Sequence, residues 1–248
     1  MVNSLGAAML EGLFPNYCVL CGLRSQRPVP LCRPCEAELQ ANSHCCSCCA
    51  IPLSPTRSGS KGEPAPPGLC GRCLQAPPPF QRVVAPWLYS EGLAHIIHRW
   101  KFSGETRLTP LLAQLWLCQS PAPGPVDILL PVPLHWRRLW WRGFNQAELL
   151  ARQLRSLAPD IRAARLDCRS VRRRRAGTAQ ARAGAAQRVA NMRGAFTAHG
   201  RYANLRIAIV DDVLTTGATA AALARVLRVA GAGHVEVWCL ARTPALNT

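Results

Sequence analysis

Lysine is almost missing from this chain: of its 30 basic residues only Lys61 and Lys101 are lysine. Acidic residues are also scarce, 13 against 30, which leaves a formal net charge of +17 and a pI near 10.3. The abundance of Ala and Pro beside arginine reads as the imprint of a GC-rich genome. The sign and size of the charge nevertheless call for a polyanionic ligand or partner. No apolar run reaches the ~18–20 residues that a helical membrane span needs. The first fourteen residues lack a basic leader and carry Glu11 within their apolar stretch, a poor signal peptide and a fair short amphipathic helix. A cytoplasmic protein is therefore expected. No Ser/His/Asp triad can be assembled, and there is no N-terminal cysteine nucleophile, so neither acyl transfer nor glutamine amide hydrolysis is expected.

What is present fits one ordinary domain with a small module attached: 248 residues, 49% of them hydrophobic. Ten of the thirteen cysteines crowd into residues 18–73, mostly as CxxC pairs. Without a secretion signal, that spacing favours metal over disulfides. Cys18/Cys21 and Cys32/Cys35 are two such pairs, and Cys70/Cys73 is a third. The run Cys45-Cys46-Ser47-Cys48-Cys49 supplies the fourth, with His44, Cys45 and Cys48 as further ligand candidates. Structural zinc is expected, with an iron–sulfur cluster or a redox dithiol as alternatives. So small an apolar content needs a metal to fold, and the module is expected to have a core of its own. Residues 52–68, rich in Pro, Gly and Ser, read as a long loop. The prolines at 77–79 close the module, which places the boundary between residues 1–76 and 77–248. Cys118, Cys168 and Cys239 read as small apolar side chains.

Beyond residue 77, strand and helix patterns alternate. Residues 81–89 and 126–131 read as strands, and 91–100 as a helix with Leu93, Ile96 and Ile97 on one side. Residues 143–157 form a helix capped by Asn145, with Glu148 at capping-box spacing and a stripe of Leu149, Leu150, Leu154 and Leu157. Residues 205–212 read as a strand, 218–229 as a helix ended near Gly231, and 234–240 as a last strand. Strands separated by helices imply a parallel α/β sheet.

Residues 207–219, Ile-Ala-Ile-Val-Asp-Asp-Val-Leu-Thr-Thr-Gly-Ala-Thr, have the parts of a sugar-phosphate site. A buried strand brings Asp211 and Asp212 to its carboxyl end, where ligands bind in open α/β sheets. Val213 and Leu214 lead into Thr215, Thr216, Gly217, Ala218 and Thr219, whose backbone N–H groups and hydroxyls at a helix start suit a phosphate. Glycine at 217 permits close backbone approach, and the two carboxylates can accept hydrogen bonds from ribose hydroxyls. Residues 162–193 hold ten arginines against Asp167 alone, four of them consecutive at 172–175. Lack of apolar periodicity reads as a mobile segment, either a cationic hood or a track for a nucleic-acid backbone. The run His135-Trp-Arg-Arg-Leu-Trp-Trp-Arg-Gly-Phe144 interleaves aromatics with arginines, as in surfaces that stack single-stranded bases. Tryptophans more often pack inside.

The thirteen-residue segment resembles the phosphoribosyl-diphosphate (PRPP) signature of type I phosphoribosyltransferases. Lys101-Phe102-Ser103-Gly104, Pro131-Val132-Pro133-Leu134, Arg142-Gly143-Phe144-Asn145-Gln146, Gln180, Arg188, Asn191 and Ala195-Phe196 follow the order of the ComF family of competence-associated proteins. With the cysteine module included, the resemblance covers nearly the whole chain. It implies a type I phosphoribosyltransferase fold, a parallel sheet flanked by helices, behind a double zinc ribbon. Cys49-Ala-Ile-Pro-Leu is similar to a Cys-Gly-x-Pro-Leu pattern of that family, which implies ligand sets Cys18, Cys21, Cys32, Cys35 and Cys46, Cys49, Cys70, Cys73. It also implies PRPP bound with Mg²⁺ and a pyrophosphate loop at Pro131, Val132, Pro133 and Leu134 with Arg137, Arg138 and Arg142. A hood containing Gln180 and Arg188 is implied between the same elements. The activity implied is phosphoribosyl transfer to an unidentified acceptor. The other is a non-enzymatic factor for single-stranded DNA, working with DNA-uptake machinery. The chemistry needs no acid–base dyad, because cations that stabilise departing pyrophosphate suffice.

Overall fold

The computed structural model describes residues 16–53, 68–120, 124–174 and 194–244. The amphipathic segment at 1–14 and most of the 52–68 loop lie outside them. Two one-turn helices, α1 (Arg33–Ala37) and α2 (Gly71–Gln75), belong to the cysteine module. The rest is a sheet of parallel strands sandwiched between two helix layers.

The sheet runs in the order β1 (Arg82–Val84), β8 (His234–Arg242), β7 (Arg206–Leu214), β3 (Ile128–Pro131), β4 (Arg165–Leu166), and β2 (Trp87–Leu88) adds to β8 beyond β1. Every pairing in this sheet is parallel. The expected strand over 81–89 is divided because Pro86 has no N–H to donate to the ladder. Both pieces remain in register with β8, Val84 beside Trp238 and Trp87 beside Ala241. Strands β7 and β8 are long because burial on both faces favours continuous β-branched and apolar runs. Leu129, Ala208, Val210, Trp238 and Leu240 face one core, while Ile128, Leu130, Ile207, Ile209, Val235 and Val237 face the other.

Helices α3 (Glu91–Phe102), α4 (Thr109–Gln119) and α6 (Gln146–Leu157) fill the first core, and α7 (Ala218–Val229) fills the second. Sequence periodicity did not reveal α4, whose TPLLAQLWLCQ is apolar on nearly every side. Apolar residues over most of its circumference leave no clear stripe, and most of the helix is buried, with Pro110, Gln114, Cys118 and Gln119 exposed. The stripe expected on α6 shifts: Ala147, Leu150, Ala151 and Leu154 are buried, whereas Leu157 is 39% exposed. Asn145 does cap α6, its Oδ1 accepting from the Ala147 N–H at 3.1 Å, but Glu148 pairs with Arg152 instead of closing a capping box. A short helix α5 (Trp136–Arg142) precedes α6.

As far as residue 174 the arginine-rich stretch is more ordered than its composition implies. Its first half supplies β4 and then β5 (Val171–Arg173), which pairs antiparallel with β6 (Phe196–Ala198). Asp167 fastens this corner by accepting from the N–H groups of Arg169 and Ser170 and from the Tyr202 hydroxyl at 2.9 Å. Arg175, Gln180, Arg188 and Asn191 lie outside the described residues.

The cysteine module does not have the separate core expected of it. Cys18, Val19, Leu31 and Leu39 pack in the same cluster as Leu93, Trp100 and Trp116, and Ala50 joins the opposite cluster with Phe80 and Val83. Backbone bonds from Asn42 N–H to the Pro86 carbonyl and from Leu88 N–H to the Gln40 carbonyl, both 2.8 Å, fasten the module to the sheet edge. Shared cores imply one cooperative unit. Leu31→Ala, a change at a site 0% exposed, is expected to cost roughly 2–5 kcal/mol. It should lower a single calorimetric transition that near-UV and far-UV signals follow together. Two resolved transitions would show that the module melts by itself.

Candidate functional site

Eight cysteines converge into two quartets. The sulfurs of Cys18, Cys21, Cys32 and Cys35 lie within 4.8 Å of one another, as do those of Cys46, Cys49, Cys70 and Cys73. Tetrahedral zinc with Zn–S bonds of ~2.3 Å needs sulfur pairs roughly 3.8 Å apart. Cys21 and Cys32 are separated by 3.8 Å and Cys49 and Cys70 by 3.7 Å, so the residues fit the ion. The turns that set this spacing match in the two halves. Gly22 N–H bonds the Cys18 carbonyl and Ala50 N–H the Cys46 carbonyl, each at 2.9 Å, with φ of +74° and +53° after the second cysteine. Burial pushes the Cys18 and Cys46 thiols up, but backbone N–H groups aimed at the sulfurs outweigh it and bring them to about 6 and about 7. Such thiols are prepared to bind metal as thiolates. Cys45 and Cys48 stand outside both quartets.

The second centre lies where the chain reverses direction across the sheet. From β3 the chain moves outward to β4, and from β7 it moves the other way to β8. The carboxyl ends of β3 and β7 therefore bound the crevice in which open α/β sheets bind ligands. Pro131 is paired with Val210, which puts Val132, Pro133 and Leu134 beside Asp211 and Asp212. Val132 N–H bonds the Val210 carbonyl at 2.9 Å, and Asn145 Nδ2 donates to the Val132 carbonyl at 3.1 Å. The strand β7 runs to Leu214, so Val213 and Leu214 belong to the sheet and the loop proper is only Thr215, Thr216 and Gly217. Gly217 caps α7 with φ +76°, a left-handed conformation that favours glycine. Ala218 and Thr219 then open the helix, and the Thr216 hydroxyl accepts the Ala218 N–H at 3.3 Å.

The two aspartates differ sharply. Asp212 is 7% exposed and held at both oxygens: Lys101 Nζ lies 2.8 Å from Oδ1, Gln146 Nε2 donates to Oδ2 at 2.8 Å, and the Val213 N–H bonds Oδ1 at 2.6 Å. Gln146 in turn accepts from Arg142 at 2.7 Å, and the Arg142 guanidinium lies over Phe102 with 5.0 Å to the ring centroid. Lys101, Phe102 and Gln146, known until now only from the family pattern, thus join Arg142 in one network around a strand end. Sequence reasoning assigned Lys101 and Gln146 no role. Their only signal was a lone lysine near a Phe-Ser-Gly turn and a glutamine opening a helix. Asp211 is half-buried, and burial together with the Asp212 carboxylate raises it to about 7, against the weaker pull of Lys101 and Arg173. Arg242 is a further residue that the sequence did not single out. It is 4% exposed at the end of β8 and donates to the carbonyls of Leu214 and Thr215.

Next to the crevice stands α5, begun by His135, whose Nδ1 accepts from the Arg137 N–H at 3.3 Å. Trp136, Trp140 and Trp141 are 66%, 85% and 72% exposed, and Leu139 is 43% exposed. Arg137 and Arg138 are exposed between them. The other four tryptophans, Trp87, Trp100, Trp116 and Trp238, are buried, and each indole N–H finds an acceptor. Buried tryptophans normally do so, which leaves the α5 group as a different class of surface.

Comparison with known proteins supports the cysteine module and finds relatives over most of the chain. A family model described as "Double zinc ribbon domain" matches residues 9–74. The DNA utilization protein YhgH of Salmonella typhi is 35% identical over 241 residues, covering 92% of this chain and 98% of that protein. The protein of the same name from Escherichia coli K12 is 33% identical with the same coverage. Competence protein F of Haemophilus influenzae is 31% identical over 182 residues, 70% of this chain and 78% of that protein.

Substitution separates the two carboxylates. A raised Asp211 binds its proton more tightly folded than unfolded. Stability is therefore lost as pH rises from the usual carboxylate range toward about 7, and the deficit is complete above that. Asp211→Asn should raise the melting temperature by several degrees near ~pH 8 and leave it nearly unchanged near ~pH 4. Asp212→Asn should lower stability by about 1–3 kcal/mol, since it weakens the acceptor for Lys101. Thermal melts across that range check both, and equal responses would remove the distinction.

Proposed function

The chain belongs to the family of DNA utilization protein YhgH and competence protein F, and from that membership we propose a PRPP-binding protein that acts on DNA entering the cell or being consumed by it. The observation that supports the PRPP site best is the loop at Thr215, Thr216 and Gly217, set between two carboxylates and a helix start in the sheet's reversal crevice. The N–H groups and hydroxyls there suit the 5-phosphate. Asp211, and Asp212 from its fixed position, take the ribose hydroxyls. The Pro131, Val132, Pro133 and Leu134 loop, with Arg137 and Arg142 beyond it, takes the pyrophosphate. Magnesium, when bound with the diphosphate, neutralises its charge. Asp212 already has its oxygens engaged by Lys101, Gln146 and the Val213 N–H, which leaves Asp211 as the carboxylate to face that ion. The division of labour follows residues 1–76 and 77–248, zinc ribbons and PRPP unit, even though they share cores.

Two modes of action are compatible with such a site. A phosphoribosyltransferase would release pyrophosphate in the presence of an acceptor, and a sensor would bind PRPP without release. Calorimetric titration with PRPP, with and without Mg²⁺, is the direct test. Binding should strengthen with Mg²⁺, and the Asp211→Asn/Asp212→Asn double variant should bind at least ~10-fold more weakly, a loss of 1.4 kcal/mol or more. A folded double variant of unchanged affinity removes the assignment.

The α5 surface favours single-stranded DNA as the polymeric partner, because exposed indoles stack on bases of any sequence while arginines follow the phosphates. With four to six phosphates neutralised, log affinity should fall against log salt with a slope of about −3 to −4. Trp140→Ala or Trp141→Ala should weaken binding at every salt concentration without changing that slope. A slope near zero, or indole variants that bind as the parent does, would leave α5 without this role.

A further inference from the structure

Arg242 is a buried cation without a carboxylate: at 4% exposure it forms no ion pair with an acidic side chain among the described residues. Isolated buried charge is costly, and a counter-charge is normally found close by. Its hydrogen bonds indicate where to look. Nε donates to the Cys49 carbonyl at 3.1 Å, and one terminal nitrogen donates to the carbonyls of Leu214 (2.9 Å), Thr215 and Thr243 (2.8 Å). Cys49 belongs to the second cysteine quartet, and four thiolates around one Zn²⁺ carry a net charge of −2 by simple addition. One guanidinium therefore bridges the zinc knuckle and the first two peptide units of the phosphate loop.

The direction of those bonds matters. In a planar trans peptide the C=O and the following N–H point to opposite sides. Holding the Leu214 and Thr215 carbonyls toward Arg242 therefore turns the N–H groups of Thr215 and Thr216 the other way. A carbonyl directed at a phosphate repels it, whereas an N–H attracts it. We propose that Arg242 is a positioning residue: it transmits the geometry and charge of the second zinc site to the phosphate loop, so that phosphate affinity depends on that zinc and not on the first. Of the first quartet, Cys18, Cys32 and Cys35 pack with α3 in the other core, Cys21 is exposed, and none of the four makes a hydrogen bond to residues 211–218 among the described residues. This quartet is the internal control. The PRPP part of this inference rests on the function proposed above, and the coupling itself does not.

Three variants and three readouts test it. Arg242→Lys keeps the charge but cannot fork across four carbonyls. Cys70→Ser disables the second quartet without touching Cys49, and Cys32→Ser disables the first. Each is measured for zinc per chain, for amide hydrogen exchange over residues 214–219, and for PRPP affinity. Arg242→Lys should keep both zinc ions, yet exchange faster in the loop and bind PRPP about 10-fold more weakly. Cys70→Ser should lose one zinc and show the same loop exchange and weakened binding. Cys32→Ser should lose one zinc and leave both loop readouts as in the parent. Identical loop behaviour in the two cysteine variants, or parental loop behaviour in Arg242→Lys, overturns the coupling. If Cys70→Ser does not fold, Arg242→Lys decides. If the parent protein binds no PRPP, the proposed function fails, and loop exchange alone then decides the coupling.

Discussion

A carboxylate at 7% exposure, Asp212, sits at the end of the central strand and must be satisfied from within the protein. Lys101 reaches it from the end of α3, Gln146 from the start of α6, and the Val213 N–H from the strand itself. Buried polar groups left unpaired cost about 1–3 kcal/mol each, and more when charged. This convergence therefore dictates how the two helices sit above β7. Among the described residues it leaves Asp211 with a single local bond, its Oδ1 accepting from the Asp212 N–H at 2.9 Å. The neighbour that remains, half-buried beside like charge, is held at a pKa near 7. Stability given up at such a position is typical of a residue kept for a ligand.

The same economy governs the cysteine module. Its apolar content is too small for a core of its own, and it solves the problem in two ways. Metal-spaced thiolates tie its turns together, and Leu31, Leu39 and Ala50 are placed in cores that the α/β unit already owns. A module docked in this manner is no freely jointed appendage. Its second knuckle contacts the end of β8 through Arg242, beside the loop at Thr215, Thr216 and Gly217.

Charge and aromatic exposure point the same way. In a chain of net charge +17, the exposed indoles lie on one short helix, interleaved with arginines and next to the crevice. The four remaining tryptophans are buried and bonded, which shows that the fold can accommodate indoles where it needs them. Exposure of three together is thus a property of α5, in keeping with a surface that meets flat bases and phosphates.

Much of this was legible in the sequence because it depends on local chemistry. CxxC spacing marks metal ligands wherever a turn can bring two thiols together, and both quartets form, the second with the Cys46 and Cys49 that the family resemblance implied. The Asp-Asp to Gly-Ala-Thr run marks a strand, a loop and a helix in immediate succession, and α7 begins and ends where its periodicity placed it. What the sequence left open depends on contacts between distant segments. Helix α4 shows no clear apolar stripe because most of its circumference is covered, with Pro110, Gln114 and Cys118 left exposed along one line, which only packing reveals. Lys101 and Gln146 acquire meaning from one carboxylate that neither adjoins in sequence. The expected separate core of the cysteine module gave way because apolar residues too few to form a core are buried best in a neighbour's. The strand order that puts the crevice between β3 and β7, and the guanidinium that joins a cysteine knuckle to the loop after β7, were decided by tertiary structure alone. No local propensity records which strand ends meet, since that is set by how two cores close on opposite faces of one sheet.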